Sequence, residues 1–493
     1  MDNHPGLKLR LAYTSVTSHQ ASLVWSRPAQ PVDHFELQWG DQQTVHLANS
    51  RCYCEMTKLT PATNYVATLT TFFFDGTKTQ SSLSVVTPAA GKVIDVSEPP
   101  YCAIDSDMVQ TANLQAAIDD CPAGGTVAIP EGLRVISGAI NLHSHMTLQV
   151  DGELIGSTDP FDYIVDQLKD RDQGINQDDL VWTRYEGWKM QCFRSLINVG
   201  HLNCQERSQV TCTDVKIVGH GVIRGGGNEL GNAMESYFAD TKCYPQYLSD
   251  NIPGRRVRGR LVNVIQTDGI DPDSCSHMLI FGASFDTGDN CIAIKSGKNP
   301  EGNQINIPKT DIEIFNLQML RVHGMAVGTE ESGGVQHVLV HDCIIHDTDF
   351  GIELKASNDR GGEVVDFNVD HCQIDSFFAH SVNYNADGEP ATQLPVFTQL
   401  RITNTRITGN THQQDVMGNS IDAFGKAIEV IGFQNEKETS LVAGLVVRNV
   451  ILDHASDSCY FNHCQGVSLA GVSSRQGRLN LQIGPDVSQL QIN

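Results

Sequence analysis

A chain of 493 residues with a formal net charge of −24 has no general basic surface to offer a nucleic acid. Hydrophobic residues make up 40%, aromatics only 7%, and there are 43 glycines, which suits strands and turns better than a helical bundle. The same acidity means that an anionic substrate needs a local cluster of Lys, Arg and His. No stretch is long and apolar enough to predict a membrane span, and Met1 to Leu11 lacks the apolar core of an export signal, so the expected location is cytoplasmic. The fourteen cysteines are scattered singly. In that setting Cys102, Cys121, Cys192, Cys275, Cys291, Cys343 and Cys372 read as buried thiols. Cys52 and Cys54 have no matching Cys or His pair, which argues against zinc there.

The first ninety or so residues alternate apolar and polar positions at strand period, as in Ala21–Trp25, His34–Trp39 and Tyr65–Leu69. Turn residues separate these runs at short intervals, which predicts an all-β sandwich over 1–92. The run Leu59-Thr-Pro-Ala-Thr-Asn-Tyr65 resembles the tyrosine corner of fibronectin type III domains, with Trp25 as the expected core Trp. A linker with Pro99-Pro100 follows.

Beyond it the pattern changes. Met108 to Asp120 carries Leu114, Ala117 and Ile118 at helical spacing, and Cys121-Pro-Ala-Gly-Gly125 stops it. Short β-rich runs then succeed one another: Thr126–Ile129, Met146–Val150, Val215–Val218, Met278–Phe281, Ile312–Phe315, His337–Val340, Phe367–Val369, Leu445–Val447 and Val467–Leu469. Those in the middle recur about every 25 to 35 positions, too closely for βαβ units. One solenoid coil per repeat fits, so 93–493 is expected to form a right-handed parallel β-helix with the helix covering its open end.

Four polar clusters interrupt these coils: Gln266–Asp273, Asp286–Gly297, Val322–Glu330 and Gly351–Asn358. From 268 to 289 is 21 positions, from 289 to 323 is 34, and from 323 to 355 is 32. Residues one coil apart stack a strand spacing from each other, so the clusters should converge on one face. Carboxylates gathered there suit glycoside hydrolysis, one as acid to the leaving oxygen and another activating water. Crowding and burial should keep one of them protonated. Asp, Asn and Gly also fill solenoid turns for backbone reasons alone, the competing reading for any single cluster.

At these residues the sequence resembles the polygalacturonases, glycoside hydrolase family 28, and most closely their exo-acting bacterial branch. The likeness runs through 93–493, beginning with the helix and Gly124-Gly-Thr-Val-Ala-Ile-Pro-Glu-Gly132. The family's Asn-Thr-Asp, Asp-Asp, Gly-His-Gly and Arg-x-Lys stand here as Gln266-Thr267-Asp268, Asp289-Asn290, Val322-His323-Gly324 and Glu353-Leu354-Lys355. The resemblance implies an inverting hydrolase of galacturonic-acid-containing oligosaccharides. Asp289 takes the acid position, Asp268 the water-activating one, His323 orients the acid, and Lys355 holds a substrate carboxylate as a point charge. It implies no metal and no organic cofactor. An acidic oligo- or polysaccharide is the expected partner, with no nucleic acid and no membrane.

Two departures fall inside the site. Asn290 replaces a carboxylate and cannot accept a proton. Glu353 replaces an Arg that would clamp a uronate, which Glu repels. Either Glu353 restores the lost negative charge beside a subsite for a neutral sugar, or it pairs with Lys355 or Arg360. The chain between Arg224-Gly-Gly-Gly227 and Gln266 is also shorter than the family's, as though a coil were missing. Lys295, Arg321, Arg255, Arg256, Arg258 and the Trp182–Trp188 segment are further candidates for holding anionic and ring-shaped sugars. Beside the exo-hydrolase stand two alternatives: a hydrolase of another pectic linkage such as rhamnogalacturonan, and a carbohydrate-binding β-helix impaired in catalysis.

Overall fold

The computed structural model describes residues 9–493 except 13–14, 29, 41–42, 186, 202–209, 228, 235–267, 321–322, 383–388, 410–425, 454–457, 476 and 478. It divides into two compact units: residues 1–91 with the short segments His277–Phe281 and Ile312–Phe315, and the remainder.

The N-terminal region is an antiparallel sandwich. Strands β1 (Leu9–Leu11), β2 (Ala21–Trp25) and β5 (Tyr53–Met56) form one sheet in the order β1-β2-β5. Strands β3 (Val32–Trp39), β4 (Gln43–Ala48), β6 (Asn64–Phe73) and β7 (Lys78–Val86) form the other, in the order β4-β3-β6-β7. Alternation on β3 does what period two requires: Phe35, Leu37 and Trp39 are buried, while His34, Glu36 and Gln38 face outward. On β2 the alternation fails, since all five residues are buried. Trp25 packs edge-on against Phe35 with ring centroids 5.5 Å apart, in the core role expected of it. The tyrosine corner is present, with the Thr60 N–H donating to the Tyr65 hydroxyl at 2.7 Å.

The rest is a parallel β-helix. Its first coils begin with Val93–Asp95, which pairs in parallel with Gly125–Ile129, followed by Met146–Val150 and Val215–Val218. Helix α1 runs from Thr111 to Asp119, three residues later at its start than the apolar spacing suggested. The difference arises because Val109 is drawn into a parallel bridge with Ile136 and so cannot take helical backbone. Leu114, Ala117 and Ile118 join one apolar cluster with Val127, Ile129, Val135 and Leu148.

From residue 278 onward three parallel sheets run side by side through successive coils. The sheet that carries the polar clusters stacks Asn290–Ile294, His323–Val327, Phe350–Ala356, Phe377–Ser381, Ile428–Ile431, Ser458–Asn462 and Asn480–Ile483. Its inward side chains, among them Ile292, Ile294, Met325, Val327, Ile352, Leu354 and Phe377, are almost wholly removed from water. At coil corners Asp311, Asn316, Asp342, Asp347, Asp366, Asn404 and Asn449 adopt left-handed backbone, the turn chemistry that Asn and Asp tolerate best. Asp268, Asp271, Asp289 and Asn290 are not among the left-handed residues. The turn explanation therefore accounts for the corner residues and leaves the four in the clusters unexplained.

The expectation of buried thiols holds for Cys121, Cys291, Cys343 and Cys372 and fails elsewhere. Cys102 is exposed in the turn beyond Pro100, and Cys275 is exposed in the turn before Met278 because neither lies in a strand. Cys192, at the end of an edge hairpin strand, is half-buried. No helix among the described residues is long and apolar enough to cross a membrane.

Removing the corner hydroxyl by Tyr65→Phe should destabilise the sandwich by about 1 kcal/mol, the usual net worth of one such bond. Urea unfolding followed by the fluorescence of the tryptophans, two of which lie in that core, is the measurement.

Candidate active site

Strand register sets the geometry. Ile270 pairs with Ile292, so Asp268 stands beside Asn290; Asn290 pairs with His323, and His323 with Phe350. Asp268, Asn290 and His323 thus occupy one row across three coils, with Asp289 one residue before the row. Lys355 is not in that row, because the residue opposite His323 is Phe350, five positions earlier. Counting residues between motifs places Lys355 on the coil after His323 and on the same sheet, but does not fix its row.

Asn290 is the hub. Its side-chain amide donates to Asp268 at 3.1 Å and to Asp289 at 2.9 Å, and its backbone N–H donates to the same two carboxylates at 2.9 and 2.8 Å. Asp289 also receives His323 Nδ1 at 2.7 Å. A carboxylate there would have been the third in hydrogen-bonding reach; the amide binds the other two instead. Close packing of the coils explains the glycine that follows His323. A Cβ on Gly324 would lie 2.3 Å from the Gly351 carbonyl oxygen and 2.3 Å from Ile345 Cγ2.

Burial works to raise the Asp289 carboxyl, but the His323 hydrogen bond and charge, the Lys355 charge and the Asn290 N–H outweigh it and hold it below 3.8. The carboxyl that crowding does push up is Asp271, which burial and the neighbouring Asp268 charge raise to about 7 against the pull of Lys295. Its side chain is still 42% exposed, so that proton exchanges readily with solvent. Lys295 Nζ reaches Asp268 at 3.3 Å and Asp271 at 3.1 Å. Burial disfavours the lysine's charge, but Asp271, Asp268 and Glu330 keep it protonated.

Glu353 is buried and bonds Lys355 Nζ at 2.8 Å and His380 Nε2 at 3.0 Å. Of the two partners the sequence offered, Lys355 is the one found. Arg360 is fully buried and donates to Asn299 at 2.5 Å. Burial opposes ionisation of Glu353, yet Lys355 and His380 bring it down to about 2. His380 continues to Glu429 at 2.9 Å, and the two glutamates raise it to about 9 despite burial. Lys355, read as a bare charge awaiting a uronate, is instead held in an ion pair with 8% of its side chain exposed.

Gln266, Arg321, Arg255, Arg256, Arg258 and the shortened stretch before Gln266 lie outside the described residues. Val181–Tyr185 and Trp188–Cys192 form an antiparallel hairpin on which Trp182 is exposed. Arg184 of that hairpin bonds both Asp273 oxygens at 3.1 Å, which ties it to the turn carrying Asp268 and Asp271. Neither Arg184 nor Asp271 was singled out from sequence. Asp271 had a signal, three positions after Asp268, whereas nothing local marks Arg184, whose partner is 89 residues away. Phe350 extends the row beside His323, and Phe378, which stands opposite Glu353, packs edge-on against it, both rings half-buried.

Carboxylates, an imidazole and ammonium groups gathered on one sheet of a parallel β-helix define a class: solenoid proteins that carry an acid–base cluster on a coil face. Residues 258–422 match the model of the glycosyl hydrolases family 28, and residues 4–87 that of the fibronectin type III domain. The hydrolase match thus covers about a third of the chain, within the solenoid, and the fibronectin type III match lies in front of it. The chain is similar to the exo-poly-alpha-D-galacturonosidase of Dickeya chrysanthemi, 25% identical over 379 residues that make up 62% of this chain and 59% of the relative. It therefore spans about 59% of that relative's length. Among solved structures, the family 28 exopolygalacturonase of Yersinia enterocolitica covers 98% of both chains with a TM-score of 0.72 at 17% identity. An exopolygalacturonase from Thermotoga maritima matches 82% of this chain and 92% of its own, with a TM-score of 0.51 at 20% identity. At those identities the two structures establish the fold.

The Glu353–His380 pair has a pH signature. His380 is raised from 6.5 to about 9, so its contribution to stability is complete below 6.5 and lost as pH rises through 9. Glu353 is lowered from 4.5 to about 2, so its share is complete above 4.5 and lost as pH falls towards 2. Thermal unfolding of the solenoid should be most resistant between those limits, and Glu353→Gln should flatten the decline towards pH 9. An unchanged alkaline decline in the variant would contradict the assignment.

Proposed function

We propose that the chain is a glycoside hydrolase that cleaves galacturonic-acid-containing, pectin-derived oligosaccharides from the chain end. The observation that carries the reading is the convergence of Asp268 and the Asp289–His323 pair on Asn290, in a solenoid that carries the family 28 match. The similarity to the Dickeya exo-poly-alpha-D-galacturonosidase supports the substrate and the exo action.

Asp289 is the proton donor to the leaving oxygen. The 2.7 Å bond from His323 Nδ1 holds the resting carboxyl low, so the proton it passes on comes from that imidazole and the two side chains act as one unit. Donation draws on that proton, and activity falls as pH rises past its loss. Asp268 is the base; Lys295 and the two Asn290 donors hold it in place and aim it. Asp271, raised to about 7, stands beside Asp268 and Lys295, where its protonated form limits the negative charge an anionic sugar must approach. Phe350 offers a ring face to a pyranose, and Asn290 itself takes no proton.

Inversion ordinarily leaves about 6.5–9.5 Å between the two carboxyl groups. Here each binds the same Asn290 nitrogen, so the anomer of the first product is a direct check on the inverting reading.

One observation favours a second reading. Lys355 is already paired with Glu353, so the subsite it serves accepts a neutral sugar more readily than a uronate. That would make the chain a hydrolase of a mixed pectic linkage such as rhamnogalacturonan.

Oligogalacturonides and rhamnogalacturonan oligosaccharides, followed by mass spectrometry and by anomeric proton NMR, separate the two. Release of single galacturonates with inverted configuration, cut by about 10²–10⁴ in Asp289→Asn, is the expected result. Cleavage confined to the rhamnogalacturonan set would transfer the assignment to the second reading. Binding of both without turnover would overturn hydrolysis altogether.

A further inference from the structure

The exposed face of the sandwich sheet β4-β3-β6-β7 carries a cluster for which sugar chemistry has no use. His34 and Glu36 are two apart on β3, so both project opposite the buried Phe35 and Leu37. His46 on β4 stands directly across from Glu36 in the antiparallel register. His46 Nδ1 lies 3.0 Å from Glu36 Oε1, and His34 Nε2 lies 3.9 Å from the same oxygen. One ligand atom from each of the three residues falls within 4.8 Å of the others. Tetrahedral zinc with bonds of about 2.0–2.2 Å sets its ligand atoms about 3.3 Å apart, a spacing that the two distances bracket.

A second feature concerns orientation. Asp33, at the register shift between Val32 and His34, sits with its carboxylate 2.8 Å from His34 Nδ1. A carboxylate only accepts, so Nδ1 carries the proton and the Nε2 lone pair of the neutral ring is turned towards Glu36 and His46. The ring is also stacked on Phe72, its cross-strand neighbour, at 4.3 Å and 9°. A carboxylate behind one imidazole nitrogen and a free lone pair in front is how proteins orient a metal-binding histidine.

We propose that His34 Nε2, His46 Nδ1 and a Glu36 carboxylate oxygen bind one zinc ion, with Asp33 orienting His34 from behind. Two neutral imidazoles and one carboxylate are borderline donors that suit zinc, whereas calcium and magnesium demand all-oxygen shells. The two carboxylates, Asp33 and Glu36, together balance the double charge of the ion. The ion would join β3 to β4 and stabilise the sandwich by binding its folded state alone.

Titration of the full chain with zinc against a chromophoric chelator tests this, run beside His46→Ala, Glu36→Gln and Asp33→Asn. Cobalt substitution supplies the second readout, because thiolate ligands give an intense near-ultraviolet band that imidazole and carboxylate ligands do not. The expected result is one zinc per chain that is lost in His46→Ala, weakened at least tenfold in Glu36→Gln, and weakened about 10- to 100-fold in Asp33→Asn. The cobalt form should show no thiolate band, and zinc should raise the unfolding midpoint of the wild type more than that of His46→Ala. Equal zinc uptake by wild type and His46→Ala, uptake by neither, or a cobalt spectrum dominated by thiolate would overturn the proposal.

Discussion

Two carboxylates on adjacent coils of a β-helix repel each other unless something between them donates hydrogen bonds. In this protein that something is one residue, Asn290, whose amide and backbone N–H together make four bonds to Asp268 and Asp289. Every other contact at the site is arranged about this bridge. His323 closes on Asp289 from the following coil, Lys295 closes on Asp268 from the C-terminal end of Asn290's own strand, and Asp271 hangs from the same lysine. The lost carboxylate is therefore a change in how the remaining two are held. Asp271, pushed up to about 7, supplies a group that can still exchange a proton near neutrality.

A compensating change runs along the same sheet. Where an arginine would add positive charge, Glu353 adds negative charge, and the protein surrounds it with Lys355 and a protonated His380 that in turn meets Glu429. Glu429 is bonded to Lys426, whose ammonium lies 5.0 Å from the Tyr460 ring centroid. Opposite charges are bonded both within one coil, as Glu353 with Lys355, and between coils, as Glu353 and Glu429 with His380, which lets the sheet carry ionised groups on its outer face. The amide at 290 and the glutamate at 353 leave the cluster with fewer unopposed charges than either change would alone.

Much of this was legible in the sequence because solenoids are nearly one-dimensional. The recurrence of β-rich runs gave the coil, and the coil gave the convergence of Asp268, Asp289 and His323, since residues one coil apart have nowhere else to go. The same regularity stops short in two places. Position counts do not give the row within a face: strand pairing sets Phe350 opposite His323 and leaves Lys355 five residues further on, because the loops between strands differ in length. Single-residue burial was also beyond a periodicity argument, as exposed Cys102 and Cys275 show. Arg184 lies inside the Trp182–Trp188 segment that the sequence offered, but its link to Asp273 was not legible, since it crosses 89 residues and depends on where a hairpin folds back. His34, Glu36 and His46 were equally hidden, for their meeting depends on the register of β3 against β4.

The pH dependence of kcat/KM for Asn290→Asp tests the bridging role most directly. A third carboxylate in contact with Asp268 and Asp289, in a site that already holds Glu353, raises their pKa values and removes two side-chain hydrogen bonds. The account predicts that the acid limb of the profile moves up by about one pH unit, so that activity on that limb, where the base is mostly protonated, falls about tenfold below that of the wild type. Activity in Asn290→Asp equal to or above the wild type across the whole pH range would contradict it, and would make Asn290 a simple loss of a catalytic carboxylate.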